Sequence, residues 1–330
     1  MKTWKATEFG SPREVLRCID APIPSLEDQS TDDLIQVRVL TAGVGLPDVI
    51  MLTGQYPPVK QAPVSPGQEL VGIVTETSAG SSFKVGDKLM GISAFSIGHG
   101  GFSEMALLIE SRANLVPSSL TDEQAAGFII PYHTAHNALE QRTRLKPGET
   151  LLVLGAPGSS GSAAVQLGKA MGAHIIAVAG NEEKANFCRT LGADEVINYR
   201  QGSMSEQVMN MTQGKGADVI FDPVGGDSYR QATRCVAHNG RIALVGFAAG
   251  WPKIDPRHIL QHSYDLVGVF IGARSDKEVK DAQRTLFDLC EKGLIVPPID
   301  QVFDFEDVPK ALERLASGNA LGKQIVKISE

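Results

Sequence analysis

The sequence predicts an α/β protein with two domains, one of which is a doubly wound parallel sheet. Its 330 residues exceed the usual length of a single domain. Between Gly148 and Gly272, short apolar runs alternate with segments of helical period, which is typical of a parallel sheet covered by helices on both faces. A glycine-bearing turn at residues 155–161 follows the first of these runs.

Six apolar runs are expected to form the strands of that sheet, and the segments between them are expected to form helices. The predicted strands are Leu151–Leu154, Ile175–Ala179, Glu195–Tyr199, Val219–Asp222, Ile242–Val245 and Leu266–Ile271. The predicted helices are Ser162–Met171, Glu183–Leu191, Ser205–Met211 and Tyr229–Ala237.

The first 126 residues have a different pattern, with many glycines and prolines and few helical periods. Strands such as Leu34–Leu40 and Leu70–Thr75 predict a compact β-rich domain there. The carboxyl end, with a long helix at Lys277–Glu291 and an apolar run at Gln324–Ile328, resembles neither half alone.

Composition and charge restrict the classes of partner. The net charge is −7, and basic residues are scattered rather than clustered, so nucleic acid is not expected as the principal ligand. No apolar run approaches the roughly 18 residues needed to span a bilayer, and the amino end lacks a signal-peptide pattern. We therefore expect a cytoplasmic protein that does not enter a membrane.

The glycine-bearing turn predicts a dinucleotide site. A parallel strand that enters a helix through small residues lets backbone N–H groups and the positive helix end meet a pyrophosphate. The residues expected to bind this diphosphate are Pro157, Gly158, Ser159, Ser160 and Gly161.

The end of the second predicted strand indicates which dinucleotide is bound. In NAD-binding units an acidic residue about 20 positions beyond the turn holds the ribose 2′-hydroxyl, but here Gly180 and Asn181 follow the strand. They leave room for a 2′-phosphate, Lys184 supplies an opposing charge, and Tyr199 ends the third strand close to the same place. NADPH is the predicted cofactor; the alternatives are that Lys184 pairs with a neighbouring carboxylate, or that a neighbouring glutamate repels the phosphate.

Ten short motifs lie in order along nearly the whole chain. They are Gly54-Gln55-Tyr56-Pro57, Pro66-Gly67-Gln68-Glu69, Val85-Gly86-Asp87, Gly100-Gly101-Phe102-Ser103-Glu104, Thr134-Ala135, Lys146-Pro147-Gly148-Glu149, the turn at 155–161, Leu191-Gly192-Ala193-Asp194, Gly240-Arg241-Ile242 and Gly322-Lys323. With these motifs the chain resembles the medium-chain dehydrogenase/reductase superfamily, specifically its zinc-free quinone oxidoreductase branch.

This resemblance implies a GroES-like β-rich catalytic domain formed by residues 1–126 and 273–330. It also implies a Rossmann domain at residues 127–272 that binds NADPH, a nicotinamide in the cleft between the domains, and a homodimer. Thr134 is expected near the nicotinamide on the same basis. Further cofactor contacts are expected where the fifth and sixth strands end, and close to the carboxyl end. They are Val245, Gly246, Phe247, Phe270, Ile271, Gly272 and Gly322.

No metal site is predicted. Zinc-dependent relatives carry a cysteine where this chain has Gly45 and a histidine where it has Gln68, whereas a catalytic zinc needs three protein ligands and an open position. Two histidine pairs have spacings that suit a shared metal but lack an acidic or thiol partner nearby in sequence. These pairs are His133 with His136 and His258 with His262.

Chemistry without a Lewis acid favours an acceptor that conjugation already activates, such as a quinone or the β-carbon of an enone. Negative charge then develops on an oxygen that needs a hydrogen-bond donor. Tyr56 is the first candidate, because its motif resembles the segment that supplies an active-site tyrosine in quinone reductases and enoyl-thioester reductases. A phenol also stays protonated at neutral pH. The resemblance also assigns Asp48 to the same loop region as an ordering residue, and places Tyr132 on the substrate side.

The leading hypothesis is therefore an NADPH-dependent reductase of quinones or α,β-unsaturated carbonyl compounds. An enoyl-thioester reductase is the alternative enzyme, which a large basic entrance would favour. A non-catalytic NADPH-binding protein with a structural or regulatory role is the alternative from another class.

Overall fold

The structure is a computed structural model that describes residues 1–29, 31 and 33–329. Its strands are β1 Lys2–Ala6, β2 Leu16–Asp20, β3 Leu34–Val44, β4 Glu69–Thr77, β5 Lys88–Ile92, β6 Met105–Ile109, β7 Asn114–Leu115, β8 Thr150–Val153, β9 His174–Ala179, β10 Glu195–Asn198, β11 Ala217–Asp222, β12 Val236–Leu244, β13 Asp265–Gly268, β14 Ile299–Asp304 and β15 Lys323–Lys327. Its α-helices are α1 Pro12–Val15, α2 Leu46–Leu52, α3 Asp122–Ala126, α4 Ile129–His136, α5 Ser159–Ala170, α6 Glu182–Thr190, α7 Met204–Met211, α8 Gly226–Ala232, α9 Pro256–His262, α10 Asp276–Glu291 and α11 Val308–Ala316.

Two compact units divide the chain. The first contains residues 1–129 and the stretch from Pro297 onward, and the second contains residues 130–296. This boundary differs from the expected one, because residues 273–296 belong to the second unit. Two contacts within that unit explain the difference: Oε1 of Gln283 in α10 accepts a hydrogen bond from Nε2 of His133 at 2.5 Å, and the backbone N–H of Val296 donates to Gln166 at 2.9 Å.

The second unit is built on a six-stranded sheet in the order β10-β9-β8-β11-β12-β13. All neighbouring strands run parallel, so the chain starts in the middle of the sheet and winds outward in both directions. The predicted doubly wound sheet of six strands is confirmed. The central strand β8 is buried over Leu151–Val153, as expected of a strand covered on both faces.

Three predicted boundaries in this unit are wrong. The strand predicted to begin at Ile242 begins at Val236. The predicted helix Tyr229–Ala237 is too long, since α8 ends at Ala232 and Val236 already pairs with Ala217 of β11. The predicted strand Leu266–Ile271 is also too long, since β13 ends at Gly268 and Ile271 begins a 3₁₀ turn. After β13 the apolar run continues through Ile271, although the pairing with β12 ends at Gly268.

Helix α5 packs closely on this sheet because a glycine faces it. A Cβ atom at Gly168 would lie 2.6 Å from Cδ2 of Leu151 and 2.8 Å from Cδ1 of Ile175. Real Cβ atoms do not approach other atoms this closely, so a side chain at residue 168 would displace the ends of the Leu151 and Ile175 side chains.

The first unit contains a two-stranded sheet, β1-β2, and a seven-stranded sheet in the order β14-β15-β3-β4-β5-β7, with β6 paired to β3. β3 pairs antiparallel with β15, β4 and β6, so it joins the two segments of the chain that form this unit. Its core includes Val37 and Val39 of β3, Met51 of α2 and Leu312 of α11. Within the described part of the chain, no helix has both the length and the apolar character that crossing a bilayer requires.

Candidate active site

Asp48 orders two loops of the first unit. It lies in the first turn of α2 and is almost fully buried. One carboxylate oxygen accepts the backbone N–H of Gly45 and the other accepts that of Gly67, both at 2.9 Å. Burial raises the pKa of Asp48 to about 6, although the two N–H donors and the nearby Lys323 ammonium oppose this shift.

A buried ion pair lies beside Asp48. The ammonium of Lys323, at the start of β15, contacts the carboxylate of Glu69, at the start of β4, and the two side chains are 3% and 1% exposed. Two glycines make room for the lysine side chain. A Cβ atom at Gly43 would lie 2.8 Å from Cε of Lys323, and one at Gly127 would lie 2.8 Å from its Cγ.

Tyr56 lies next to Gln68 in the same unit. Its hydroxyl donates to Oε1 of Gln68 at 3.2 Å, and its half-buried ring packs against Phe95 with a centroid separation of 6.2 Å. Gln68 is 4% exposed, and its Nε2 has no hydrogen-bond partner among the described residues. Burial, and to a smaller extent Asp48, raises the pKa of the Tyr56 phenol, which therefore stays protonated at neutral pH.

Tyr132 occupies a different environment from Tyr56. It is 1% exposed in the second unit, and its hydroxyl donates to Oε1 of Gln166 at 2.7 Å. Gln166 also accepts from the backbone N–H of Val296 and donates to its carbonyl, both at 2.9 Å. Burial and this network engage the Tyr132 hydroxyl, and its expected place on the substrate side stays a prediction.

The glycine-bearing turn leads directly into α5, as the sequence predicts. Gly158 caps the helix, whose first residues are Ser159, Ser160 and Gly161. A Cβ atom at Gly161 would lie only 2.2 Å from the carbonyl oxygen of Gly155, so the turn can close only with glycine there. Pro157 is buried within the turn. The first N–H groups of a helix have no carbonyl acceptor within the helix and can face an anion.

The end of β9 has a different local structure from the one predicted. A Cβ atom at Gly180 would lie 2.8 Å from the hydroxyl oxygen of Tyr199, so the absence of a side chain at Gly180 accommodates the tyrosine. Asn181 caps α6 by accepting the backbone N–H of Lys184 at 2.9 Å. The expected open space beside Gly180 is therefore taken up in part by Tyr199, which is still 52% exposed.

Two basic residues lie just after the ends of β9 and β10. Lys184 lies in the first turn of α6, and the guanidinium of Arg200 lies 6.0 Å from the centroid of the Tyr199 ring. Glu182 forms an ion pair with Arg189 at 3.0 Å. That pair reduces the repulsion that Glu182 would exert on a phosphate.

The segments after β12 and β13 hold the remaining predicted cofactor residues of the second unit. The N–H groups of Val245 and Gly246 both donate to the carbonyl of Asp222, at 2.9 and 3.2 Å. The ring of Phe247 stacks on Trp251 with a centroid separation of 3.9 Å. Phe270, Ile271 and Gly272 form a turn in which Phe270 is 57% exposed and lies over Gly272.

Two predicted cofactor residues lie elsewhere. Thr134 is half-buried in the middle of α4. Gly322, in the first unit, adopts φ +84°, and a Cβ atom there would lie 2.4 Å from the carbonyl oxygen of Pro298. Gly322 therefore enables the turn into β15, directly before Lys323.

Comparison with known proteins identifies the family. Residues 31–118 match the family model of the alcohol dehydrogenase GroES-like domain, and residues 161–288 match that of the zinc-binding dehydrogenases. Human quinone oxidoreductase is 30% identical over 331 residues, which cover 99% of this chain and 97% of the human protein. The chain belongs to the quinone oxidoreductase branch of the medium-chain dehydrogenase/reductase superfamily. The GroES-like and Rossmann assignments are confirmed.

Two further relatives agree with this assignment to the branch. Bovine quinone oxidoreductase-like protein 2 is 32% identical over 300 residues, or 89% of this chain and 85% of the bovine protein. The crystal structure of Escherichia coli quinone oxidoreductase complexed with NADPH superposes with a TM-score of 0.91 at 27% identity, covering 99% of this chain and 100% of that one.

The described residues include no group of three or more histidine, cysteine, aspartate or glutamate side chains that could hold a metal ion. The rings of His258 and His262 stack at 4.0 Å, and His133 bonds to Gln283. At the two positions where zinc-dependent members of the superfamily carry ligands, this member has Gly45 and the amide of Gln68.

Sequence analysis did not identify Gln68, Glu69 and Lys323 as members of one cluster. A signal was present, because Glu69 precedes the apolar run of β4 and Lys323 opens the apolar run of β15. Opposite charges at the starts of two buried strands indicate that they compensate each other. The sequence contains no comparable signal for the unpartnered Gln68 amide.

The pKa of Asp48 predicts a pH-dependent contribution to stability. Because the folded-state pKa of about 6 lies above the ordinary value of 3.8, the contribution is fully present below about pH 4 and is lost as the pH rises through 6. Asp48→Asn abolishes this titration. We expect the difference in unfolding free energy between wild type and Asp48→Asn to change by about 2 kcal/mol between pH 4.5 and 7.5, measured by urea denaturation. The exposed variant Asp28→Asn serves as the control, and a pH-independent difference for Asp48→Asn would contradict the prediction.

Proposed function

We propose that this chain is an NADPH-dependent reductase that acts on quinones or α,β-unsaturated carbonyl compounds without a metal. The observation that carries the proposal is the protonated Tyr56 hydroxyl, which donates a hydrogen bond to the buried amide of Gln68. Gln68 stands at a position where zinc-dependent relatives have a ligand. A neutral hydroxyl of this kind can stabilise a developing oxyanion and then protonate it.

The second unit fits a dinucleotide. The Gly155–Gly161 contact leaves no space for a side chain, so the backbone at the start of α5 can approach a diphosphate closely. The N–H groups of Ser160 and Gly161 would hold it. Bound NADPH supplies a hydride. The E. coli relative, whose structure contains NADPH, supports this choice of cofactor.

Charge supports NADPH over NADH. Lys184 and Arg200 bring two positive side chains to the end of β9 and β10, where Asn181 replaces the carboxylate that an NAD-binding unit would present. The ion pair of Glu182 with Arg189 removes one source of repulsion. In this proposal Lys184 and Arg200 hold the 2′-phosphate, with Tyr199 beneath the adenosine.

The hydride acceptor must already be activated by conjugation. Asp48 and Glu69 are engaged by backbone N–H groups and by Lys323 respectively, so neither is placed to act as a general acid. Tyr56 remains as the proton donor, which suits an acceptor whose charge is already delocalised onto one oxygen. Thr134 would contact the nicotinamide or its ribose, as expected for this family.

We also propose a cytoplasmic homodimer. None of the described cysteines, Cys18, Cys188, Cys235 and Cys290, forms a disulfide, as is usual in a reducing compartment. β13 forms one edge of the six-stranded sheet, and the preceding helix α9 presents Leu260 with 80% exposure. An edge strand beside exposed apolar side chains favours pairing with a second copy of the chain.

Substitution of Tyr56 tests the reaction. Wild-type protein should oxidise NADPH in the presence of quinones, enones or 2-alkenals, and Tyr56→Phe should lower kcat about 100-fold with an unchanged KM for NADPH. Initial rates across these acceptors and enoyl thioesters measure this, with Tyr264→Phe, at a buried tyrosine of the second unit, as the matched control for loss of a hydroxyl. Turnover of thioesters alone would favour the alternative enzyme, and NADPH binding without any turnover would favour a non-catalytic role.

Substitution of Lys184 tests the cofactor. Lys184→Ala should raise the KM for NADPH about tenfold and leave that for NADH unchanged, because it removes one charge-assisted contact to the 2′-phosphate. The exposed Lys280→Ala on α10 is the control for the loss of a positive charge. Equal effects of Lys184→Ala on both coenzymes would reject the assignment.

Sedimentation velocity tests the dimer. Wild-type protein should sediment with twice the 35.2 kDa mass of one chain, and Leu260→Arg should shift it to the monomer because a charge replaces the apolar contact. Leu294→Arg, at another exposed leucine of the same unit, should leave the mass unchanged. A monomeric wild-type protein at micromolar concentration would contradict this proposal and leave the proposed chemistry unaffected.

A further inference from the structure

Tyr56 has one hydroxyl proton, and in this structure that proton points to Gln68. A hydroxyl that donates to Gln68 presents only lone pairs elsewhere. It cannot at the same time donate to the oxygen of an acceptor. To take the role that the proposed function gives it, the hydroxyl must turn away from Gln68, which costs this hydrogen bond unless the amide can turn and leave the proton free.

The amide of Gln68 has a second orientation that does so. Its oxygen and nitrogen occupy nearly equivalent positions, so a half-turn about the last side-chain bond places Nε2 against the Tyr56 oxygen. Nε2 would then donate to Tyr56, and the hydroxyl proton of Tyr56 would be free to point away from Gln68.

The structure makes the two orientations close in free energy. In the observed one, Nε2 is buried and has no partner among the described residues. In the other, Nε2 gains Tyr56 as acceptor and Oε1 becomes the atom without a partner. An unpaired buried carbonyl is tolerated at least as well as an unpaired buried N–H. Neither orientation satisfies both ends of the amide, so neither is strongly preferred.

We propose that Gln68 is a positioning residue for Tyr56, and that its amide turns between an orientation that accepts the phenolic proton and one that donates to the phenolic oxygen. The donating orientation lets Tyr56 pass its proton to an acceptor while it keeps a hydrogen bond to Gln68, and it stabilises the phenolate that remains. The effect on turnover rests on the proposed reductase function, whereas the two amide orientations do not.

The charged surroundings of Tyr56 are few. Asp48 is the charged group that acts on the phenol, and Lys323 and Glu69 act in turn on Asp48. The variants compared below leave all three in place, so differences between them in the titration of Tyr56 report on residue 68.

Fluorine NMR tests the amide directly. The chain contains five tyrosines, so 3-fluorotyrosine labelling gives five signals, and Tyr56→Phe identifies the signal of Tyr56. If the amide turns, it donates to the phenolate, and the pKa of Tyr56 should be about one unit lower in wild type than in the isosteric Gln68→Met, which has no donor. If the amide is fixed as an acceptor, the pKa in wild type should equal or exceed that in Gln68→Met, and the proposal is overturned.

Steady-state kinetics test the consequence. In Gln68→Glu the carboxylate accepts hydrogen bonds and can donate one only when it is protonated. The kcat of this variant should therefore fall towards that of Tyr56→Phe at pH 8 and recover at least tenfold as the pH falls towards 5. The KM for NADPH should not change. Combined with Tyr56→Phe, the substitution should have no further effect, whereas a merely structural role would lower both single and double variants. Gln301→Glu, an exposed residue of β14, controls for the added charge.

The two experiments separate the failure of this inference from that of the proposed function. Absence of turnover in wild type would reject the reductase, while the NMR comparison would still decide whether the Gln68 amide turns. If wild type turns over but its Tyr56 pKa is higher than that of Gln68→Met, the reductase is retained and the turning amide is rejected.

Discussion

The buried ion pair between Lys323 and Glu69 is the constraint on which the first unit depends. Its partners lie 254 positions apart in sequence and join the last strand, β15, to β4. Leaving either charge buried without the other would destabilise the unit by about 3–5 kcal/mol. Because β15 also pairs with β3, the pair holds the final segment of the chain against the centre of the seven-stranded sheet.

The geometry of Tyr56 follows from this pair through a short series of contacts. The ammonium of Lys323 lowers the pKa of Asp48, which burial would otherwise raise further. The Asp48 carboxylate accepts the N–H of Gly67, the residue before Gln68, and Gln68 accepts the hydroxyl of Tyr56. Gly67 itself adopts φ +98°, and a Cβ there would lie 2.5 Å from the backbone nitrogen of Phe102. Only glycine can therefore bring Gln68 into this position.

Residue patterns predicted the local secondary structure, but they did not predict features that depend on contacts between residues distant in sequence. The six parallel strands and the turn before α5 were predictable because apolar runs and small residues report local structure directly. The end of α8 was not, since Val236 joins a strand through its pairing with Ala217. The role of Gly180 was not predictable either, because only the fold brings Tyr199 over it. The lack of a partner for Nε2 of Gln68 among the described residues could not be predicted from the sequence, because it depends on which residues the fold places around the amide.

The two functional parts of the chain rest on different physics. The turn before α5 is defined by backbone contacts, so a side chain at Gly161 is excluded whatever the cofactor's exact pose. The Tyr56 region is defined by a side-chain hydrogen bond from the Tyr56 hydroxyl to Gln68. We therefore expect coenzyme binding to tolerate substitutions near Tyr56, and the proposed proton transfer to be sensitive to them.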